Sequence, residues 1–165
     1  EIGGGFGSNI HFLITNFPNI KKIIYLDIVP NIYVGTEYLK YHFKENVIDY
    51  LQVKDKDEIK FSDNDDLEII CIPPWLIEKV KVEIDHFHNS ASFVEMPKKV
   101  VKNYAHFINS FNTKEISLFS YGNYDLDTTF NPEELNIFFN NQLNISWKSS
   151  LLHNENKKNI FLTSK

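Results

Sequence analysis

The sequence predicts an α/β protein whose sheet is mostly parallel, carries helices on both faces and closes with an antiparallel C-terminal hairpin. Three observations predict it. Apolar runs bounded by charge, such as residues 21–28, alternate with amphipathic stretches, the order that gives a parallel sheet covered on both sides. A glycine-rich turn over residues 3–7 stands between what reads as a strand end and a helix. The last two strand-like runs, "NISWKSSLL" and "KNIFLTSK", are separated only by the polar "HNENKK", which makes them a hairpin and so antiparallel to each other.

The elements follow in order. Residues 8–17 place Ile10, Leu13, Ile14 and Phe17 on one side of a helix. Residues 21–28 read as a buried strand that ends near Asp27. Residues 30–43 form a helix with Pro30 in its first turn and Val34, Tyr38, Leu39 and Phe43 as its apolar face. Two runs, "VIDYLQV" and "LEIICIPP", read as strands, the second at the sheet edge, around the solvated loop "KDKDEIKFSDNDD". Residues 82–89 and 114–122 are strands on either side of a helix over 97–111 that presents Val100, Val101, Tyr104, Ile108 and Phe111. Asn131 and Pro132 open a short helix ahead of the hairpin.

A length of 165 residues fits one domain, residues 1–165, with enough apolar content (42%) to bury a core. The net charge of -5 argues against a nucleic-acid partner, because general nucleic-acid binders are basic. The lone Cys71 cannot form an internal disulfide, so a reducing, cytoplasmic setting is the simple expectation. The longest apolar run, "LEIICIPPWLI", is too short to span a bilayer and is broken by two prolines. "SDNDDLE" has calcium-loop residue types without the central glycine and reads as a solvated loop.

The glycine turn carries the first chemistry. Glycine admits positive φ and lets a ligand approach the backbone, and the amides of the following helix attract polar groups. An acid at the end of the next strand, Asp27, can accept hydrogen bonds from two ribose hydroxyls. A dinucleotide fingerprint G-x-G-x-x-G starting at Gly3 would need glycine where Ser8 stands. The pattern present is E-x-G-x-G-x-G over Glu1, Gly3, Gly5 and Gly7. It resembles motif I of the class I S-adenosylmethionine (SAM)-dependent methyltransferases.

That resemblance implies a Rossmann-like methyltransferase sheet and SAM as cofactor. Glu1 would hold the amino group of the methionine part, Gly3, Gly4 and Gly5 would allow close approach, and Asp27 with the adjoining Ile28 would meet the ribose. The family sheet also ends in a reversed hairpin, whereas a nicotinamide enzyme more often continues with a parallel strand. The interval from Glu1 to Asp27 is longer than this family usually shows, with the extra length around "LITNFPNIKK". Glu1 and Ile2 would end the central strand of such a sheet, so that strand is expected to begin upstream of Glu1.

The second dense stretch is "IDHFHNSASFVEM". Its N-x-x-S-F-x-E-M pattern, from Asn89 to Met96, precedes a helix carrying Asn103 and Tyr104. This combination, with "YLDIVPNIYVGTEYL" and "IPPWLIEKV", resembles the sugar O-methyltransferase family of bacterial surface-polysaccharide gene clusters, over residues 1 to about 111. The resemblance implies methylation of a saccharide or other small-molecule hydroxyl, with Asn89 beside the cofactor and Ser92 near the acceptor. Glu95 or His88 would be the base that takes the hydroxyl proton. Tyr121, at the end of the later strand, would line the acceptor pocket.

Plainer roles compete with these. Ser92 and Glu95 have capping-box spacing, but Pro97 would then fall in the second helical turn, where it is costly. A helix with Pro97 in its first position leaves both residues in a loop. His86 and His88 alternate with Phe87 and share a strand face, yet no third ligand has diagnostic spacing, so no metal is expected. Trp75 is either an adenine-pocket wall or a core ring. A nicotinamide-dependent oxidoreductase and a non-catalytic methyltransferase-like binding module remain the rival classes.

Overall fold

A computed structural model describes residues 1–121, 134–140, 143–151 and 154–164. The chain divides into two compact units, Glu1–Val82 and Glu83–Lys165.

The first unit contains α1 (Ser8–Asn16), β1 (Lys22–Leu26), α2 (Asn31–Phe43), β2 (Val47–Ile48), α3 (Tyr50–Val53) and β3 (Glu68–Ile72). Its strands form a parallel sheet in the order β1-β3-β2, and Ile2 adds a parallel bridge to Leu26 at the end of β1. β3 is apolar at four of its five positions and buried at all five, as a strand with neighbours on both edges should be. It is therefore interior to this sheet, and β2, not β3, is the edge strand. "VIDYLQV" is a strand for only two residues because Asp49 then starts a helix. Its Oδ1 accepts from Leu51 N (3.1 Å), and Gln52 Oε1 accepts from Asp49 N (2.8 Å). That reciprocal D-x-x-Q cap outweighs the apolar run. Pro30 precedes α2, and the Val29–Pro30 peptide is cis. The core gathers Ile10, Tyr25, Ile32, Leu39, Val47, Ile69 and Cys71; each large aliphatic among them contributes about 1.5–3 kcal/mol by burial.

The second unit contains β4 (His86–Ser90), α4 (Lys98–Ser110), β5 (Glu115–Tyr121), α5 (Leu135–Phe138), β6 (Leu143–Leu151) and β7 (Asn154–Ser164). Its sheet order is β4-β5-β7-β6; β4 and β5 are parallel, and β7 is antiparallel to both neighbours. The expected hairpin is present. β7 starts at Asn154, so backbone pairing runs into the polar segment, with a register irregularity between Ser150 and Leu151. β4 begins later than the apolar pattern predicts, because its partner β5 begins at Glu115, opposite His86. Upstream of it, the Ile84 amide is held by the Phe111 carbonyl instead (3.1 Å). Phe93 stacks between Phe87 (centroids 5.9 Å) and Tyr104 (6.3 Å), and Phe139 follows Phe87 at 6.4 Å, a ring-rich core in a chain of 14 Phe and 8 Tyr. Gly122, Asn131 and Pro132 lie outside the described residues, as does the side chain of Tyr121.

Candidate functional site

In the first unit the glycine turn leaves the sheet beside the end of β1. Leu26 N donates to Glu1 O (3.0 Å) and Gly3 N to Leu26 O (2.8 Å), so residues 1–3 run alongside β1 before the chain turns away. Gly3, Gly5 and Gly7 all have positive φ (73°, 60° and 86°). At Gly5 this is decisive: a left-handed residue with a Cβ is strained, although nothing lies within 4 Å of where that Cβ would be. The turn is therefore open on that side, as a surface that receives a ligand must be.

Asp27, one residue beyond β1, is buried and ties the turn to the strand. Its Oδ2 accepts from Gly5 N (2.7 Å) and its Oδ1 from Ile28 N (2.7 Å). Burial pushes the Asp27 carboxyl above its ordinary value, and these backbone donors, with the Asn31 side chain, pull against that rise. A carboxylate offers about four lone-pair sites, so capacity for further donors remains. Glu1 points into the same place. Its Oε1 accepts from Asn9 Nδ2 on α1 (2.9 Å), while its Oε2 is buried with no hydrogen-bond partner among the described residues. Asn9 is a member of this cluster that the motif reading missed; it lies one helical position after Ser8. Ile28 follows with its side chain 57% exposed. The structure thus brings together Glu1, Gly3, Gly4, Gly5, Asp27 and Ile28. Trp75 lies in a short helical turn after β3 and is 62% exposed, so it is not a core ring.

The other candidates lie in the second unit, at and after β4. Asn89 is buried; its Nδ2 donates to Ser92 Oγ (2.6 Å) and its Oδ1 accepts from Phe93 N (3.3 Å). Asn89 and Ser92 therefore shape the strand exit, where Ala91 takes a positive φ of 69°, a conformation that costs a non-glycine residue about 1–2 kcal/mol. Residues Ser92–Glu95 form their own short helical turn, and α4 starts after Pro97. Glu95 ends that turn with an exposed side chain.

His86 and His88 occupy one face of β4 and converge on a single atom. Ser117 Oγ, on the adjoining β5, is 2.7 Å from His86 Nε2 and 2.9 Å from His88 Nδ1. One hydroxyl proton serves two imidazoles, so Ser117 donates to one and accepts from the other. Burial, with the neighbouring His86, pushes the His88 imidazole down to about 4, so it is neutral at physiological pH and a weak proton acceptor. No group of three or more His, Cys, Asp or Glu side chains placed to share a metal occurs among the described residues.

The "SDNDDLE" loop holds a cation of the chain's own: Lys22 Nζ lies 3.2 Å from Ser62 Oγ, 3.0 Å from Asn64 Oδ1 and 3.0 Å from Glu68 Oε2. No helix among the described residues is long and apolar enough to cross a membrane.

No protein-family model and no curated protein sequence matches the chain. Solved structures do share its fold. The mitomycin 7-O-methyltransferase MmcR superposes with a TM-score of 0.59 at 11% identity, over 99% of this chain and 48% of that one. The magnesium protoporphyrin IX methyltransferase ChlM from Synechocystis PCC 6803, solved with bound SAM, gives 0.58 at 8% identity, over 99% and 68%. A pericyclic reaction enzyme gives 0.55 at 10% identity, over 99% and 42%. The chain thus spans about half the length of MmcR and less of the pericyclic enzyme. It has the Rossmann-like α/β fold of class I methyltransferases, and that fold hosts more than one chemistry.

Proposed function

We propose that the chain binds SAM at the glycine turn and is a methyltransferase acting on a hydroxyl of a saccharide. The observation that carries the cofactor assignment is Glu1 Oε2, a buried carboxylate oxygen without a donor among the described residues, beside a turn that is open at Gly5. Leaving such an acceptor unpaired is costly, and an amino group of the ligand would relieve it. The residues fit SAM on that ground: Glu1 would take the ammonium of the methionine part, and Asp27 would accept from a ribose hydroxyl with its remaining capacity. The cofactor supplies a sulfonium methyl that is already activated for transfer.

The protein's task is then to orient the acceptor oxygen and to remove its proton. Glu95 is the proposed proton acceptor, in preference to His88, whose imidazole is a weak base committed to Ser117. The N-x-x-S-F-x-E-M pattern favours a sugar acceptor, with Ser92 and Tyr121 on the acceptor side. Calorimetry with SAM and NAD in turn, followed by transfer of labelled methyl to a panel of saccharides, tests the reading. SAM binding with transfer to a sugar hydroxyl is the expected result. NAD binding without SAM binding overturns it, and SAM binding without transfer to any acceptor leaves the binding-module class.

A further inference from the structure

We infer that Tyr25 is a positioning residue for the cofactor turn: its hydroxyl holds the Gly5 carbonyl while Asp27 holds the Gly5 amide, so two side chains from the end of β1 and just beyond it clamp one residue through the peptide groups on either side of it. This rests on the SAM reading of the turn. Tyr25 and Asp27 are two residues apart and therefore project from the same side of the extended chain. The Tyr25 hydroxyl donates to Gly5 O, with Asn31 O at the start of α2 a second acceptor 3.3 Å away. Asp27 Oδ2 accepts from Gly5 N at 2.7 Å. Gly5 sits outside any regular element at φ 60°, and the one backbone bond within the turn, Gly7 N to Gly4 O (3.0 Å), leaves both of its polar groups to these side chains.

Two further features separate a clamp from simple core filling. Tyr25 is fully buried, and a phenylalanine would fill much the same volume without a hydroxyl that needs partners. Burial, then the Asp27 charge, push the Tyr25 phenol up, so the hydroxyl stays protonated and remains a donor. The neighbouring helix also makes room for it. Gly35 stands in the interior of α2, where glycine is a poor helix former. A Cβ added there would collide with the Tyr25 hydroxyl and come within 2.8 Å of Cζ and 2.9 Å of Cε1. Helix propensity is given up at the point where the ring tip passes toward the turn.

The test is calorimetric titration of the whole chain with SAM, comparing wild type, Tyr25→Phe and Ile69→Val, which trims the same core cluster away from the turn. Amide exchange is followed in parallel without ligand. Tyr25→Phe is expected to weaken SAM binding about 10-fold, the loss of one net hydrogen bond, and to raise exchange at the Gly5 amide. Ile69→Val should lower the melting temperature and leave SAM affinity unchanged. Equal affinity in wild type and Tyr25→Phe overturns the clamp, as does an equal loss in Ile69→Val, which would trace the effect to general destabilisation. Absence of SAM binding in wild type would instead defeat the cofactor reading, and the clamp with it. The two failures are thus told apart by which protein shows them.

Discussion

The two units place their candidate residues under opposite conditions. Around the glycine turn, the backbone uses only part of the acidic side chains: Asp27 holds Gly5 and Ile28, and Glu1 keeps a buried oxygen without a donor among the described residues. At the exit of β4, Asn89 bonds to both Ser92 and Phe93, and the histidines share Ser117. The first arrangement has acceptor capacity that an incoming ligand can use. The second spends its polar groups on the shape of its own turn. Equally conspicuous sequence motifs therefore differ in what they leave available, and an unspent buried acceptor is the better pointer to a ligand.

The largest expected effect would sharpen this contrast from the side of the second unit. Glu95→Gln should lower kcat by about 10²–10⁴-fold with SAM affinity unchanged, measured by methyl transfer and calorimetry; an unaltered kcat removes Glu95 as the base. Next is Asp27→Ala, which should weaken SAM binding by about 2–3 kcal/mol, the worth of a charged hydrogen bond; unchanged affinity would take Asp27 out of the site.

The third prediction sets the units against each other by pH. His88 has a folded value near 4, below its ordinary 6.5, so the unfolded chain binds the proton first. Stability is full above about 6.5 and is lost as pH falls toward 4, on the order of 2–3 kcal/mol. The Asp27 carboxyl is raised, so its contribution has the reverse sign: it favours the folded state at low pH and is lost as pH rises through the folded value. Residue-level amide exchange at pH 7 and 4.5 should show protection falling around β4 and β5, and His88→Gln should flatten that fall. Uniform loss in both units would break the comparison. The smallest effect is on the turn itself. Gly5→Ala meets no steric neighbour, so only its left-handed backbone should cost, about 1–2 kcal/mol, lowering the melting temperature by about 3–6 °C.

Legibility in the sequence followed the range of the physics. The helices over α1, α2 and α4 and the strands β1, β3 and β5 were readable because burial imprints a local period on the chain. Their ends moved by a few residues where a cap or a partner strand intervened, as at Asp49 and at His86. The interior position of β3 was not readable, since a buried run does not say which strands flank it. At the site, the glycine turn and Asp27 stood out as residue types at a spacing, and Glu1 as the acid that opens the same pattern.

By itself, then, the sequence determined an α/β chain with a glycine turn ahead of α1, an acid after β1 and a closing hairpin. Each of these follows from periodicity, turn chemistry or local spacing. Only the tertiary structure decided that Asp27 spends two bonds on Gly5 and Ile28, that Tyr25 reaches the same glycine past Gly35, and that His86 and His88 meet at Ser117. Apart from the Asp27–Ile28 bond and the Gly35–Tyr25 approach, those pairings join residues 20 to 31 positions apart. They depend on strand register and on how closely a helix packs, which no local pattern encodes.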